Sequence, residues 1–169
     1  MFVPHGREGP LEVADRVVVV NHGRIEQVGT PDEVYDHPTT PFVYEFLGNV
    51  NLFEGRVHNG VANIGGGQIH SPEHGDVTDT AATAYVRPHD IDIADRPDAD
   101  TVEATLNHAI KIGPVLRLEL ARRDDGSVVE VELSRERYDH LNVETGNLVY
   151  FKPRRARVFL TDDRGSHAA

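Results

Sequence analysis

From about residue 50 onward, apolar and polar positions alternate in short runs: 52–57, 61–64, 83–87, 90–94, 102–112, 115–121, 128–133 and 148–151. Strict alternation places successive side chains on opposite faces of an extended chain, so each run is predicted to be a strand with one face in a core. The runs are separated by Asn59-Gly60, Gly65-Gly66-Gly67 and Asp124-Asp125-Gly126, residue types that accept the backbone angles of tight turns. Many short strands with this punctuation predict a mainly β protein built as a small barrel or sandwich. Val86, Ile91, Ile93, Leu106, Ile110, Leu116, Leu118, Val131, Leu133, Val149 and Phe151 are expected to face one interior. Residues 75–83 and 94–101 read as loops, 134–137 as a short helix start, and 161–169 as a flexible tail.

The first 48 residues follow a different pattern. Val17 to Val20 is a β-branched run, Asn21-His22-Gly23-Arg24 a turn, and Ile25 to Val28 the returning strand, which together predict a hairpin. Thr30-Pro31-Asp32-Glu33 carries the three marks of a helix start: a hydroxyl cap, proline in the first turn, and glutamate three residues after the cap. Pro38 stops that helix and Thr40-Pro41 opens another, whose apolar face is Phe42, Val43, Phe46 and Leu47. The chain is therefore expected to divide into residues 1–48, an αβ piece, and 49–160, a β domain.

Composition narrows the chemistry. The 169 residues carry a formal net charge of −11, which argues against a nucleic-acid partner, because such binding needs a basic footprint. There is no cysteine, which removes thiolate metal sites and cysteine nucleophiles. No apolar run reaches the roughly 18 residues of a membrane-spanning helix, and no metal site is expected. His70 and His74 are four apart, but Pro72 and Gly75 break any helix that could aim both at one metal. Arg154, Arg155 and Arg157 read as charges on a strand edge that deter edge pairing. No G-x-x-x-x-G-K-[S/T] occurs, and no Asp-Glu pair follows a four-residue apolar strand. A nucleotide phosphate cradle is thus not encoded here.

Several motifs resemble one family. Ala14-Asp15-Arg16 with Val17 to Val20, Gly23-Arg24-Ile25, and Gly29-Thr30-Pro31 with Val34-Tyr35 and Pro38 resemble the closing segment of importer-type ABC ATP-binding subunits. The run FVYEFLGNVN at 42–51 and Val86-Arg87-Pro88-His89-Asp90 resemble the subgroup serving sulfate and thiosulfate import. Pro4-His5-Gly6 sits where that family carries its switch histidine, although Arg7, Glu8, Gly9 and Pro10 depart from the usual Gln-Glu-Glu-Ala that follows.

The resemblance implies an αβ remnant of an ABC ATPase domain followed by an OB-like accessory β-barrel, the tail of a larger subunit. It implies ATP and Mg as cofactors of the parent subunit and none for this chain. His5 would be a residual catalytic histidine without its machinery. Arg87, His89, Asp90 and Arg117 become candidates for anion binding or for an interface, as does the 154–157 run. The implied partners are membrane permease subunits and a second ATP-binding subunit at the cytoplasmic face of the plasma (inner) membrane, with weak self-association. The alternatives are a free-standing oxyanion-binding barrel and a non-functional gene remnant.

Overall fold

The computed structural model describes residues 15–64 and 67–161. The chain divides into two compact units that meet between Val50 and Asn51.

The first unit opens with β1 (Val17–Asn21) and β2 (Arg24–Gly29), paired antiparallel. His22 and Gly23 both adopt positive φ at the turn, the backbone a two-residue hairpin demands. Two short helices follow, α1 (Pro31–Asp36) and α2 (Pro41–Phe46). The capping box forms in full: Glu33 N–H donates to Thr30 Oγ1 at 3.2 Å, and Thr30 N–H donates to Glu33 Oε2 at 2.9 Å. Thr40 Oγ1 accepts from Val43 N–H in the same way at α2. Gln27 ties the hairpin to the link between the helices, donating to the His37 carbonyl and accepting from Thr39 N–H. Val19, Val34, Val43 and Leu47 form a small core.

The second unit contains β3 (Asn51–His58), β4 (Val61–Ile64), β5 (Gly67–His70), β6 (Thr80–Val86), β7 (Ile91–Ala94), β8 (Val102–Ile112), β9 (Val115–Arg122), β10 (Val128–Ser134), α3 (Arg135–Leu141), β11 (Leu148–Pro153) and β12 (Arg157–Leu160). They form two five-stranded sheets, ordered β12-β6-β3-β4-β5 and β10-β9-β8-β11-β7. Every pairing is antiparallel. The inner faces of both sheets share one core, with Phe53, Leu106, Leu116, Leu118, Leu120 and Phe151 buried at its centre.

The chain crosses between sheets at β6–β7 and at β11–β12, and the two crossings are joined where Arg154 N–H donates to the Asp90 carbonyl at 2.7 Å. A third tie is the Asn51 side chain. Its amide donates to the Glu130 carbonyl and accepts from Glu130 N–H, both at 2.8 Å. It acts as a peptide group would in a ladder, joining β3 of one sheet to β10 of the other. Gly55 is needed for a different reason: a Cβ there would overlap the Asn63 carbonyl.

Several expectations are corrected. Ile110 does not face the interior and is 57% exposed. The β8–β9 register shifts between Leu106 and His108, and one extra residue turns every later side chain to the opposite face. Two strands were not expected. β5 begins at the third glycine of a run read as a separator, and β12 begins at Arg157 of the basic run. β6 begins at Thr80, inside the stretch expected to be a loop.

Candidate functional site

The Arg87-Pro88-His89-Asp90 motif is the first of the two sheet crossings. β6 ends at Val86, and residues 88–90 make one tight helical turn, closed by Asp90 N–H donating to the Arg87 carbonyl at 2.9 Å. Proline fixes φ at the start of such a turn and holds the preceding residue extended, and Arg87 has φ −67° and ψ 146°. The Arg87 side chain is buried, and His89 projects outward with Nε2 3.7 Å from Asp90 Oδ2.

His89 lines an open cleft of about 200 Å³ whose polar wall also includes Asp92, Glu132, Ser134, Arg137 and Arg154. Two guanidiniums converge on a single carboxylate oxygen: Arg137 Nη2 lies 2.7 Å and Arg154 Nε 3.4 Å from Asp92 Oδ1. Arg154 Nη2 also donates to the His89 carbonyl at 2.6 Å. Ser134 Oγ is already engaged, accepting from Arg137 N–H as the cap of α3. Arg117 lies on β9 opposite Glu132 of β10, with Nη2 3.6 Å from Glu132 Oε2.

The structure thus puts His89 on the cleft, leaves Asp90 beside it without lining it, and connects Arg117 to its rim through Glu132. It places Arg87 in the interior. His5 lies outside the described residues. Asp92 and Arg137 were missed as site residues. The alternation Asp90-Ile91-Asp92-Ile93 predicted that Asp92 would point away from the core, but nothing in the local pattern points to a partner on α3.

Chemically the cleft is an ion-paired rim. Arg137 and Arg154 share one carboxylate, Asp92, while Glu132 pairs with Arg117, and no nucleophile stands beside a base. Among the described residues no cluster of His, Asp and Glu could hold a metal ion. His74, one of the paired histidines, shares a hydrogen bond at 3.0 Å with the Val158 carbonyl. The perturbed carboxylates lie elsewhere. Asp79 titrates below its ordinary range because Arg56 hydrogen-bonds it and adds an opposite charge. Asp125 does so because the Ser127 hydroxyl and N–H bond it. A nucleotide with Mg does not fit these residues. The two lysines that could meet phosphate, Lys111 and Lys152, sit within β8 and β11 rather than in a glycine-rich loop.

Comparison with known proteins places these features. A family model described as the CysA C-terminal regulatory domain matches residues 51–93, and one described as a TOBE-like domain matches residues 96–154. The chain is 51% identical to the sulfate/thiosulfate import ATP-binding protein CysA of Nitrosomonas europaea, over 94% of this chain and 45% of that protein. It is 44% identical to the protein of the same description from Bacillus cereus, over 96% of this chain and 46% of that one. The chain therefore spans about half the length of the curated relatives it matches. Among solved structures it resembles the cytoplasmic molybdate-binding protein ModG, with a TM-score of 0.51 at 15% identity, covering 65% of this chain and 94% of that one. That likeness establishes an OB-like barrel fold and nothing about a ligand. No helix among the described residues is long and apolar enough to cross a membrane.

Proposed function

We propose, from the premise that this chain belongs to the sulfate/thiosulfate-type ABC importer ATP-binding family, that it serves as the regulatory and interaction part of such a subunit. The parent activity is the coupling of ATP hydrolysis to anion import through membrane permease subunits, at the cytoplasmic face of the membrane and beside a second ATP-binding subunit. This chain supplies no phosphate-binding loop. Its contribution is the β unit, residues 51–161, which presents surfaces rather than chemistry. His89, Asp90 and the Arg117–Glu132 pair form a polar rim for contact with a partner subunit, and Arg87 braces the turn from within.

The observation that carries this reading is the 44–51% identity along nearly the whole chain, together with the two family models that fall on the β unit. A free-standing oxyanion binder is the weaker alternative, because both cleft guanidiniums are already engaged by Asp92. The test is a chimera in which the part of the Nitrosomonas europaea relative preceding the matched region is joined to this full chain. In a host lacking its own subunit, the chimera should restore growth on sulfate as sole sulfur source. A chimera present in the membrane fraction at normal abundance that supports no sulfate uptake would overturn the assignment.

A further inference from the structure

The cleft lies where the second sheet stops short of closing on itself. In the order β10-β9-β8-β11-β7, β10 and β7 are the two edge strands. Both line the cleft, β7 through Ile91, Asp92 and Ile93, and β10 through Glu132, Leu133 and Ser134. Among the described residues no ladder joins them. The cleft is thus an open seam between two strand edges.

The register shows which backbone groups face it. In an antiparallel ladder one residue points both its N–H and its C=O at the neighbouring strand, and the next points both away. The Asp90 carbonyl accepts from Arg154 N–H on the β11 side, and Asp92 pairs with Lys152. Ile91 and Ile93 therefore point their N–H and C=O into the seam. On β10, Arg135 N–H donates to the Pro114 carbonyl on the β9 side, while Glu130 turns away to Asn51. Glu132, two residues on from Glu130, likewise points its N–H and C=O into the seam. Edge groups of this kind are a template for a further strand. Asn51 shows the template in use, since its side-chain amide meets Glu130 as a peptide group would, one ladder step from Glu132.

Charge narrows the ligand. Arg137 and Arg154 share the single carboxylate of Asp92, so this side of the seam carries one guanidinium more than that carboxylate offsets. The two arginine side chains are 53 and 50% exposed, and they can meet a carboxylate held above the cleft without leaving Asp92.

We infer that the β7–β10 seam binds an extended acidic segment of a partner protein by strand addition. The inference rests on the interaction role proposed above and names the chemistry of the partner. The backbone of the added segment pairs with Glu132 on one side and with Ile91 and Ile93 on the other. Its successive side chains face opposite ways. Acidic ones lie outward beside Arg137 and Arg154, and the intervening ones face the apolar floor of Ile91, Ile93 and Leu133. A free oxyanion gains none of this backbone pairing.

The test titrates the isotope-labelled full chain with the peptide acetyl-TEVEVET-amide. The amide resonances of Ile91, Ile93 and Glu132 should shift and saturate below about 1 mM. At saturation their exchange with solvent should slow by about fivefold or more. The peptide TKVKVKT should bind about tenfold more weakly or worse. So should TEVEVET N-methylated at both valines, which keeps every charge but loses the donors along one edge. Arg137→Gln should weaken TEVEVET by about threefold or more while keeping the dispersed spectrum of the parent. No saturable shift at these amides would overturn the inference, and equal binding of the N-methylated peptide would rule out strand addition. The same shifts produced by sulfate alone would make the seam an oxyanion site. Shifts that depend on protein concentration without peptide would make it a contact between two copies, and either result sinks the proposal. Sulfate uptake by the chimera is read separately. Uptake with no peptide binding removes the seam and leaves the family function standing, whereas peptide binding without uptake removes the functional reading and leaves the chemistry of the seam.

Discussion

Asn51 offers the sharpest test of how the β unit is held together. It is a buried polar residue whose amide makes both bonds of a ladder step with Glu130 and a longer one, 3.5 Å, to the Val86 carbonyl. In Asn51→Ala both short bonds disappear, and the Glu130 N–H and carbonyl lose their partners on that side. Each lost bond costs about 1 kcal/mol net, and a partly buried group left unpaired adds about 1–3 kcal/mol. The sum, about 3–5 kcal/mol, corresponds to a Tm lower by about 15–25 °C for a unit of this size. Thermal unfolding followed by circular dichroism in the β-sheet region measures it directly. Asn51→Asp separates the two bonds. Its carboxylate can still accept from Glu130 N–H but faces the Glu130 carbonyl without a proton to donate. That variant should be weakest at neutral pH and recover in part below about pH 4, as the side chain takes up a proton. A Tm for Asn51→Ala within about 3 °C of the parent would refute the peptide-like tie. Water would then replace the amide at no net cost.

Other outcomes follow from the same structure. Gly55→Ala should destabilise the β unit by about 1–3 kcal/mol, since the new methyl group meets backbone rather than a movable side chain; an unchanged denaturation midpoint would count against that close approach. Asp79 is held below its ordinary value of 3.8, first by the Arg56 hydrogen bond and then by its charge. The pair therefore contributes fully above that value and is lost as pH falls through the lowered native one, and Arg56→Ala should move the Asp79 midpoint in an NMR titration up toward 3.8. Residues 51–161 expressed alone should unfold in one cooperative transition with dispersed amide resonances, and a broad, non-cooperative melt would show that the two-unit description is wrong. The purified chain should neither bind nor hydrolyse ATP; turnover above a mock-purified control that disappears in His5→Ala would contradict the missing phosphate cradle.

Local chemistry was legible where a few neighbouring residues decide the outcome. The Thr30 capping box, the Thr40 start, the His22-Gly23 turn and most strands depend on side chains within four positions of each other, and the sequence displays those directly. Legibility failed where a distant partner decides. Ile110 continues the alternation of β8 and belongs in the core by pattern, but the register shift after Leu106 sends it outward. Such a bulge is chosen by how β9 pairs with β8. The strand at 157–160 was read only as a charged edge, because its arginines hid the apolar Val158, which is buried. Asn51 belongs to the FVYEFLGNVN run, so the motif was visible, but its physical purpose was not: its partner lies 79 residues away.

The candidate site shows the same limit and bears on the proposed role. Asp92 meets Arg137 across 45 residues, and Arg154 reaches the His89 carbonyl across 65, so no spacing rule could have gathered them. Once gathered, both guanidiniums are engaged by Asp92. A small oxyanion entering the cleft would have to take both guanidiniums from Asp92 while remaining beside that carboxylate and Glu132, and like charges at such range oppose binding. A protein partner is under no such constraint. It can offer carboxylates to the arginines and amides to the acids without displacing either. The ion pairing that occupies the cleft arginines makes the cleft a serviceable polar rim. With unpaired strand edges and a mixed-charge rim along one cleft, the features that stand out in the β unit are surfaces suited to other protein surfaces. Such surfaces suit the regulatory and interaction role proposed above.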